Sequence, residues 1–143
     1  MIAAFRCLAV ALALAIATAA LAQAEPSPAE WTRIKAVIAA QRDALVSGDG
    51  ARAFANAAPG IRSHFGDVDT FMRMVRQNYA ALIDARYVEF LDGAVIGGDV
   101  VQPLRLVMND GTVWVAIYGM QQQGDGSWRI ASCVIAPSTV RSA

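Results

Sequence analysis

The stretch RSHFGDVDTF, residues 62–71, carries the chain's one histidine together with two aspartates. His64 precedes Asp67 by three positions and Asp69 by five, and imidazole and carboxylate groups this close in sequence could bind a metal ion or transfer a proton. Both aspartates also adjoin an apolar pattern of helical spacing, where a carboxylate can cap the free amide groups at a helix start. We therefore predict a capped turn here, with no metal site and no catalytic residue.

Two further side chains, Cys133 and Glu89, are chemically capable of catalysis. Cys133 has no histidine near it in the sequence to activate its thiol, so we interpret it as a small buried residue that stays reduced and reacts slowly. Glu89 falls in a segment with the pattern of a strand, where glutamate is typical of a solvent-exposed edge. Neither residue is therefore predicted as catalytic from its surroundings in the sequence.

The N-terminal segment MIAAFRCLAVALALAIATAALAQA has the pattern of a signal peptide. Arg6 precedes an apolar run, and the small residues Ala22 and Ala24 flank Gln23 as they do in a cleavage site. We predict cleavage after Ala24, which leaves residues 25–143 as a single domain secreted into the periplasm. The apolar run is shorter than the ~20 residues that cross a bilayer comfortably, so a retained membrane anchor is the weaker alternative.

Composition and charge argue against two classes of partner. The chain has 12 basic and 12 acidic residues, and Arg6 is the basic residue that lies in the predicted signal peptide. The exported domain is therefore nearly neutral, and it has no basic run to attract nucleic acid or anionic lipid. Cys7 also lies in the signal peptide, so Cys133 has no disulfide partner within the domain. We predict no nucleic-acid partner, no membrane contact after cleavage and no cofactor.

Three helices are predicted in the first half of the domain. Ser27 and Glu30 have the spacing of a capping pair, and the apolar pattern that follows them ends at Gly48. Asp49 can cap a short second helix, which must end before Pro59 because proline disfavours helical geometry in the residue that precedes it. The third helix follows the aspartates of the first stretch, and its apolar stripe consists of Val68, Phe71, Met72, Val75, Tyr79 and Leu82.

Four strands are predicted after residue 85, in the segments RYVEFLDGAVI, DVVQPLRLVMN, TVWVAIYGMQQQ and SWRIASCVIA. The pairs Gly-Gly, Asp-Gly and Asp-Gly separate these segments, and such pairs are typical of two-residue hairpin turns. Helices followed by an antiparallel sheet indicate an α+β domain, in which the helices cover one face of the sheet.

The assumed turns decide which side chains share a face of the sheet. They pair Asn109 with Thr112 and Gly124 with Ser127, and this register leaves one face almost wholly apolar beneath the helices. The other face, which includes Cys133, mixes large apolar groups with arginine, a combination typical of an interface. We predict a homodimer interface there, formed by Arg105, Trp114, Tyr118, Met120, Arg129 and Ile135. A loop that covers this face is the alternative.

One rung of the predicted inner face differs from the rest. The assumed register places Gln102, Gly119 and Ser132 side by side, so that small and hydrogen-bonding groups interrupt an aliphatic surface. Either a helix approaches closely there, or a small neutral ligand is held by amide and hydroxyl groups. Pro103 cannot donate a ladder hydrogen bond, so we predict a sheet edge or a bulge beside this rung. The candidate pocket residues are His64, Tyr79, Gln102, Gly119, Gln121 and Ser132.

The order of the elements and the segment DGSWRI, residues 125–130, resemble the nuclear transport factor 2-like (NTF2-like) superfamily. More specifically, ANAAPGIRSHFGDVDTFMRMVRQNY, VVQPLRLV and GTVWVAIYGMQQQGDGSWRIASC resemble the DUF4864 family of exported bacterial proteins. This chain has Ser132 where the family pattern favours glycine before the cysteine. The resemblance implies an NTF2-like cone, with N-terminal helices packed on a curved four-stranded antiparallel sheet, and it carries over no catalytic residue.

Two functional hypotheses follow from this resemblance, because that superfamily includes isomerases, dehydratases and modules that only bind or dimerise. We predict a non-catalytic module that binds a small neutral ligand or a protein partner and forms a homodimer. The alternative is an isomerase-like or dehydratase-like enzyme with His64 or Glu89 as the general base. The enzyme hypothesis expects His64 and Tyr79 to point into a cavity shared with Ser132, whereas the module hypothesis expects them to point at packed side chains.

Overall fold

The computed structural model describes residues 24–139, which form five helices followed by five strands. The helices are α1 Pro28–Ser47, α2 Gly50–Ala55, α3 Pro59–Phe65, α4 Val68–Asn78 and α5 Ala80–Asp84, and the strands are β1 Tyr87–Phe90, β2 Ala94–Ile96, β3 Asp99–Val107, β4 Val113–Gln122 and β5 Trp128–Pro137. None of the helices within this range combines the length and the apolar composition that a membrane span needs. Residues 1–23 of the predicted signal peptide lie outside the described part of the chain. The α+β class predicted from the sequence is confirmed.

The start of α1 is the predicted capping box. The Glu30 amide donates to the Ser27 hydroxyl at 3.3 Å, and the Ser27 amide donates to the Glu30 carboxylate at 2.9 Å. These bonds satisfy two amide groups that the first turn of a helix leaves free. Ile34 and Ile38 are fully buried on the face of α1 that meets the core, and the helix ends at Gly48, whose φ of 74° lies in the left-handed region.

The predicted turn around His64 is wrong in part, because His64 lies in the last turn of α3. The sequence predicts Pro59 only as a residue that ends the second helix. It also occupies the first turn of α3, where its missing amide proton removes no intrahelical hydrogen bond. Asp49 caps α2 as predicted by accepting from the Arg52 amide. The predicted third helix is also divided, because Tyr79 leaves helical geometry between α4 and α5.

Asp67 caps α4, which confirms the structural role predicted for it. Its carboxylate accepts a hydrogen bond from the Thr70 amide at 2.7 Å. This hydrogen bond is the main cause that lowers the pKa of Asp67, because the bond favours the charged carboxylate. Asp69 lies within the first turn of α4, where its negative charge suits the positive end of the helix dipole.

We expect an Asp67→Ala variant to have a melting temperature about 4 °C lower than the wild type at neutral pH, because the Thr70 amide loses its acceptor. Asp67→Asn should keep most of the cap, since asparagine accepts the same bond. The pKa of Asp67 is lowered in the folded state, so the charged cap contributes fully above the pKa of the unfolded carboxyl. That contribution is lost as pH falls through the lower folded pKa, and thermal unfolding of the three proteins at several pH values would measure it. Equal melting temperatures at neutral pH would contradict the assigned cap.

The sheet has five strands instead of the predicted four, because the first predicted strand is broken. β1 and β2 both pair antiparallel with β3, on the same side of it, and the order across the sheet is β1-β3-β4-β5. The break lies opposite Gln102 and Pro103, where Phe90 pairs with Leu104 and Ala94 pairs with Val101. Residues 91–93 therefore lie opposite only two residues of β3, 102–103. This bulge agrees with the irregularity predicted from Pro103.

The predicted register between β3 and β4 is wrong by one residue. Val107 pairs with Val113, because the connection is a three-residue turn, 109–111, closed by a hydrogen bond from the Met108 amide to the Thr112 carbonyl at 2.9 Å. Gly111 takes the left-handed position of this turn, with φ 82°. A slip of one residue moves every side chain of a strand to the opposite face, so the inner and outer faces of β4 are exchanged relative to the prediction.

The predicted dimer interface consequently belongs in large part to the inner face. Tyr118 and Met120 are 1% and 5% exposed, and both lie in the core beneath the helices. Trp114 and Ile135 are partly buried and also pack against this core. Cys133 pairs with Tyr118 as predicted, but both side chains face inward rather than outward.

Candidate ligand-binding cavity

A cavity of about 260 Å³ lies between the helices and β5. Helices α1, α3, α4 and α5 contribute one wall, and four consecutive residues of β5 contribute the other. The lining residues are Gln41, Leu45, Ile61, Phe65, Phe71, Met74, Val75, Tyr79, Leu82, Ile130, Ala131, Ser132 and Cys133. The cavity thus joins residues from both halves of the domain.

The apolar wall of the cavity follows from the amphipathic pattern of α4. Phe71 and Val75 are buried at helical spacing, and Met74 lies beside them at the partly buried margin of the same helix. Phe65 of α3 extends this wall, because its ring meets that of Phe71 edge to face at a centroid distance of 5.9 Å.

The opposite wall of the cavity contains an irregularity in β5. Met120 pairs with Ile130, and Gly119 pairs with Ser132, so Ala131 is the extra residue of a β-bulge. Beside the bulge, the Ala58 amide donates to the Ile130 carbonyl at 2.8 Å, and this bond connects the strand edge to the start of α3. Four successive residues of β5, which include the bulge, lie at the cavity wall.

The cavity has few polar side chains, and two of them are already engaged. Gln41 is buried, and its amide nitrogen donates to the Ala53 carbonyl at 3.2 Å. The Tyr79 hydroxyl donates to the Cys133 carbonyl at 2.9 Å. Burial raises the pKa of Tyr79, and it raises the pKa of Cys133 to about 12. No acidic, basic or imidazole side chain is among the lining residues, so this wall is uncharged at neutral pH.

The raised pKa of Cys133 predicts slow thiol chemistry in the folded protein. A pKa of about 12 leaves on the order of a thousandfold less thiolate than an ordinary cysteine has, and the thiolate is the reactive form. We expect labelling with a disulfide reagent at pH 8 to be slower in the native protein than in urea by about that factor. A Cys7→Ser background would make Cys133 the one labelled thiol of the chain. Native labelling at the unfolded rate would show that the thiol is not protected by burial.

Tyr118 lies beside Cys133 and has an unusual environment. Its hydroxyl is buried, and within residues 24–139 its polar neighbour is the Cys133 thiol, which interacts with it without the geometry of a full hydrogen bond. Burial raises the pKa of Tyr118 well above its ordinary value, and the Cys133 thiol raises it further. A phenol in this position stays protonated, so it adds no charge beside the cavity.

The six candidate pocket residues do not form one site. Tyr79 and Ser132 line the cavity, although the Ser132 hydroxyl lies over Gly119, where an added Cβ atom would collide with it. His64 and Gln121 line a separate groove on the other side of α3. The predicted pairing of Gly119 with Ser132 is confirmed, whereas the third member of the predicted rung pairs elsewhere.

Gln102, the third member of that rung, pairs with Tyr118 and lies at the bulge between β1 and β2. Its amide nitrogen donates to the carbonyl groups of Leu91 and Pro103 at 2.7 and 2.9 Å. These two bonds stabilise the break in the strand, so the buried amide has a structural role. Gln102 also lines a surface groove with Lys35, and this groove shares no lining residue with the cavity of Tyr79.

Sequence reasoning missed most of the cavity. Phe71 and Val75 were recognised as an apolar stripe, but the stripe gave no sign that part of it faces open space instead of packed side chains. Gln41 is absent from the predicted site, although a glutamine between apolar residues on the inner face of a helix indicates a buried polar group that needs a partner.

The remaining candidate for catalysis, Glu89, lies on the outer face of the sheet. Its carboxylate is paired with Arg105 at 3.0 Å, and more than half of its side chain is exposed. It does not line the cavity. The described residues also contain no group of three or more histidine, cysteine or acidic side chains that could hold a metal ion.

Comparison with known families gives one result for the chain. A family model described as a domain of unknown function, DUF4864, matches residues 27–143. No curated protein matches the chain.

Proposed function

We propose that this chain, which belongs to the DUF4864 family, is an exported, non-catalytic module that binds a small neutral molecule in the cavity between α4 and β5. The observation that carries this proposal is the uncharged lining of the cavity. Charged ligands would lose their hydration there without gaining an opposite charge, whereas an apolar molecule would lose little. The cavity of about 260 Å³ suits a molecule smaller than most drugs.

An NTF2-like cone and export to the periplasm belong to this proposal. Helices that precede an antiparallel sheet and cover one face of it support the cone, as does a cavity between the two layers. The signal peptide predicted from residues 1–24 supports export, and a protein outside the cytoplasm would meet small molecules that cross the cell envelope.

The enzyme alternative has weaker support. A general base must lie within hydrogen-bond reach of the proton that it removes. His64 lines the neighbouring groove rather than the cavity, and Glu89 is ion-paired with Arg105 on the opposite face of the sheet. Tyr79 reaches the cavity, but its hydroxyl is bonded to a carbonyl group and its raised pKa keeps it protonated. These positions favour binding over proton transfer.

The test is a thermal shift screen with small neutral probes, such as toluene, indole and phenol, together with mass spectrometry of whatever molecule co-purifies. A probe at ten times its Kd should stabilise the protein by roughly 1.4 kcal/mol, a rise of several degrees in melting temperature. We expect Met74→Trp to remove this rise, because the larger side chain occupies the cavity from its partly buried margin.

The matched control for the blocked cavity is Met108→Trp. Met108 is also partly buried against the core, but it lines a different groove. This variant should respond to the probes as the wild type does. If none of the probes raises the melting temperature of the wild type, the cavity is not a binding site for these molecules. The same conclusion follows if the probes raise the melting temperatures of the two tryptophan variants by the same amount.

A second proposal concerns homodimerisation, now through the true outer face of the sheet. Ile117 and Val134 are 46% and 65% exposed, and they lie opposite each other on β4 and β5. Pro103 of β3 pairs with Ile117 and extends this apolar row to a third strand. Glu89 and Arg105 have opposite charges beside this row, so the face has little net charge to repel a second copy.

Light scattering at roughly 50 µM tests this interface, because a standard-sized interface should be occupied at that concentration. We expect a dimer for the wild type and a folded monomer for Val134→Glu, since the new charge would be buried in the apolar row. A wild-type protein that is monomeric at this concentration would refute the interface.

A further inference from the structure

A groove on the other side of α3 adjoins the cavity. The groove measures about 380 Å³, and it is lined by Ala58, Gly60, Ile61, His64, Phe65, Gln121 and Ala131. Ile61, Phe65 and Ala131 line the cavity as well. These three side chains therefore form a shared boundary of the two spaces.

The side chains at this shared boundary are not fully buried. α3 buries none of its residues completely, so Ile61 and Phe65 are only half-buried. Ala131 is exposed, and as the extra residue of the β-bulge it has no direct partner on β4. The start of α3 is held by main-chain hydrogen bonds between Ile130 and the residues around Ala57, at 2.8 and 2.9 Å. Phe65 packs on the rings of His64 and Phe71, at centroid distances of 4.8 and 5.9 Å, so a connection between the groove and the cavity requires its side chain to rotate.

The two spaces differ in chemistry. The cavity is lined mostly by aliphatic and aromatic groups, and it is uncharged. The groove adds the imidazole of His64 and the amide of Gln121, both of which can donate and accept hydrogen bonds. The cavity alone is slightly smaller than the ~300–1,000 Å³ of typical ligand pockets, so it would hold a very small molecule or one end of a longer one.

We propose that the ligand is a linear amphiphile, with its alkyl chain in the cavity and an oxygen-bearing head group in the groove, bound to His64 and Gln121. This inference rests on the proposed function, because it names the class of molecule that enters the same cavity. The chain would pass beneath α3 beside Ala131, where a methyl group is the smallest obstacle between the two spaces. The head group keeps its hydrogen bonds at the surface, while the chain leaves water.

The experiment compares decan-1-ol and decanoate, which share the chain and differ in the head group, with toluene, which needs the cavity alone. Calorimetric titration should give tighter binding of at least one decyl probe than of toluene. In a His64→Ala/Gln121→Ala protein, we expect the affinity for that probe to fall about tenfold through lost hydrogen bonds, with toluene unaffected. Ala131→Phe should weaken the decyl probes more than toluene, because the larger side chain narrows the passage between the two spaces. Gln77→Ala, an exposed glutamine of α4 outside both spaces, is the control.

The outcomes separate this inference from the proposed function. A selective loss of decan-1-ol binding supports the amphiphile and the neutral ligand of the proposed function. A selective loss of decanoate binding also supports the amphiphile, but it replaces that neutral ligand with an anionic one. If toluene binds while the affinity for both decyl probes is unchanged in the double variant and in Ala131→Phe, the small-molecule cavity stands and the amphiphile is refuted. If neither toluene nor a decyl probe binds, the inference and the proposed function both fail.

Discussion

Replacing Tyr118 with glutamate is expected to unfold the domain. Tyr118 is 1% exposed at the centre of the sheet, in contact with the core beneath the helices. The variant loses the packing of a large ring and buries a carboxylate that has no partner, at a cost on the order of 5 kcal/mol or more. That is comparable with the whole stability of a typical domain. Circular dichroism and urea unfolding would measure the effect.

Two control variants make the result specific. Ile117→Glu puts the same charge on the adjacent residue of β4, which is 46% exposed on the opposite face, so this variant should stay folded. Tyr118→Phe removes only a hydroxyl whose polar neighbour is the Cys133 thiol, a weak hydrogen-bonding group, and its unfolding free energy should match the wild type within about 0.5 kcal/mol. A folded Tyr118→Glu protein with the stability of the wild type would mean that the inner face of β4 is wrongly assigned.

The expectation for Tyr118 reverses what the sequence alone predicts, and the reason is the length of two turns. Asp110 and Asp125 each precede a glycine, and Asp-Gly was interpreted as a complete two-residue turn. Each aspartate instead accepts hydrogen bonds from the amide and hydroxyl of the residue two positions on, Thr112 and Ser127, at 2.9 and 2.6 Å. This side-chain turn gives three-residue loops with glycine in the left-handed position. The sequence signal is therefore Asp-Gly-Ser/Thr, and interpreting it as a three-residue loop gives the correct faces of β4, and of β5 as far as Ile130.

The two turns had different consequences for the prediction. Between β3 and β4 the error persists along the whole strand pair, so Tyr118 and Met120 change face. Between β4 and β5 the bulge at Ala131 shifts the register back by one residue, and beyond it Gly119 and Ser132 pair as predicted. A bulge cannot be derived from hairpin turns, because it depends on the helices and strands that surround the edge.

The sequence predicts the starts of the capped helices more reliably than it predicts which side chains lie on each face of the sheet, because a cap is a local interaction. Ser27, Asp49 and Asp67 each bond to an amide three residues on, and short-range spacing is visible in the sequence. The cavity depends instead on residues as far apart as Gln41 and Cys133, which only the packing of the two layers brings together. The order of elements predicts the layers, but it does not predict where they leave a gap.

Gly93 lies in the break between β1 and β2, and its replacement is expected to cause the second large loss of stability. A Cβ atom at Gly93 would lie 2.6 and 2.8 Å from two ring carbons of Trp31, closer than packed carbon atoms approach. Trp31 is held by α1 and packs against the core, so either the indole or the loop must move. We expect Gly93→Ala to lower the unfolding free energy by roughly 2 kcal/mol, which is typical of a substitution that overpacks a core.

Gly60→Ala is the matched control for Gly93→Ala, because Gly60 has ordinary helical geometry in α3 and open space where its Cβ would lie. That substitution should leave stability unchanged or raise it by up to about 1 kcal/mol, since alanine restricts the unfolded chain more than glycine does. A double-mutant cycle with Trp31→Ala then identifies the cause. If the collision with the indole is responsible, Gly93→Ala should cost much less when Trp31 is absent, and urea unfolding of the four proteins would measure the coupling energy. An equal cost in both backgrounds would assign the effect to the backbone of the loop and not to its contact with α1.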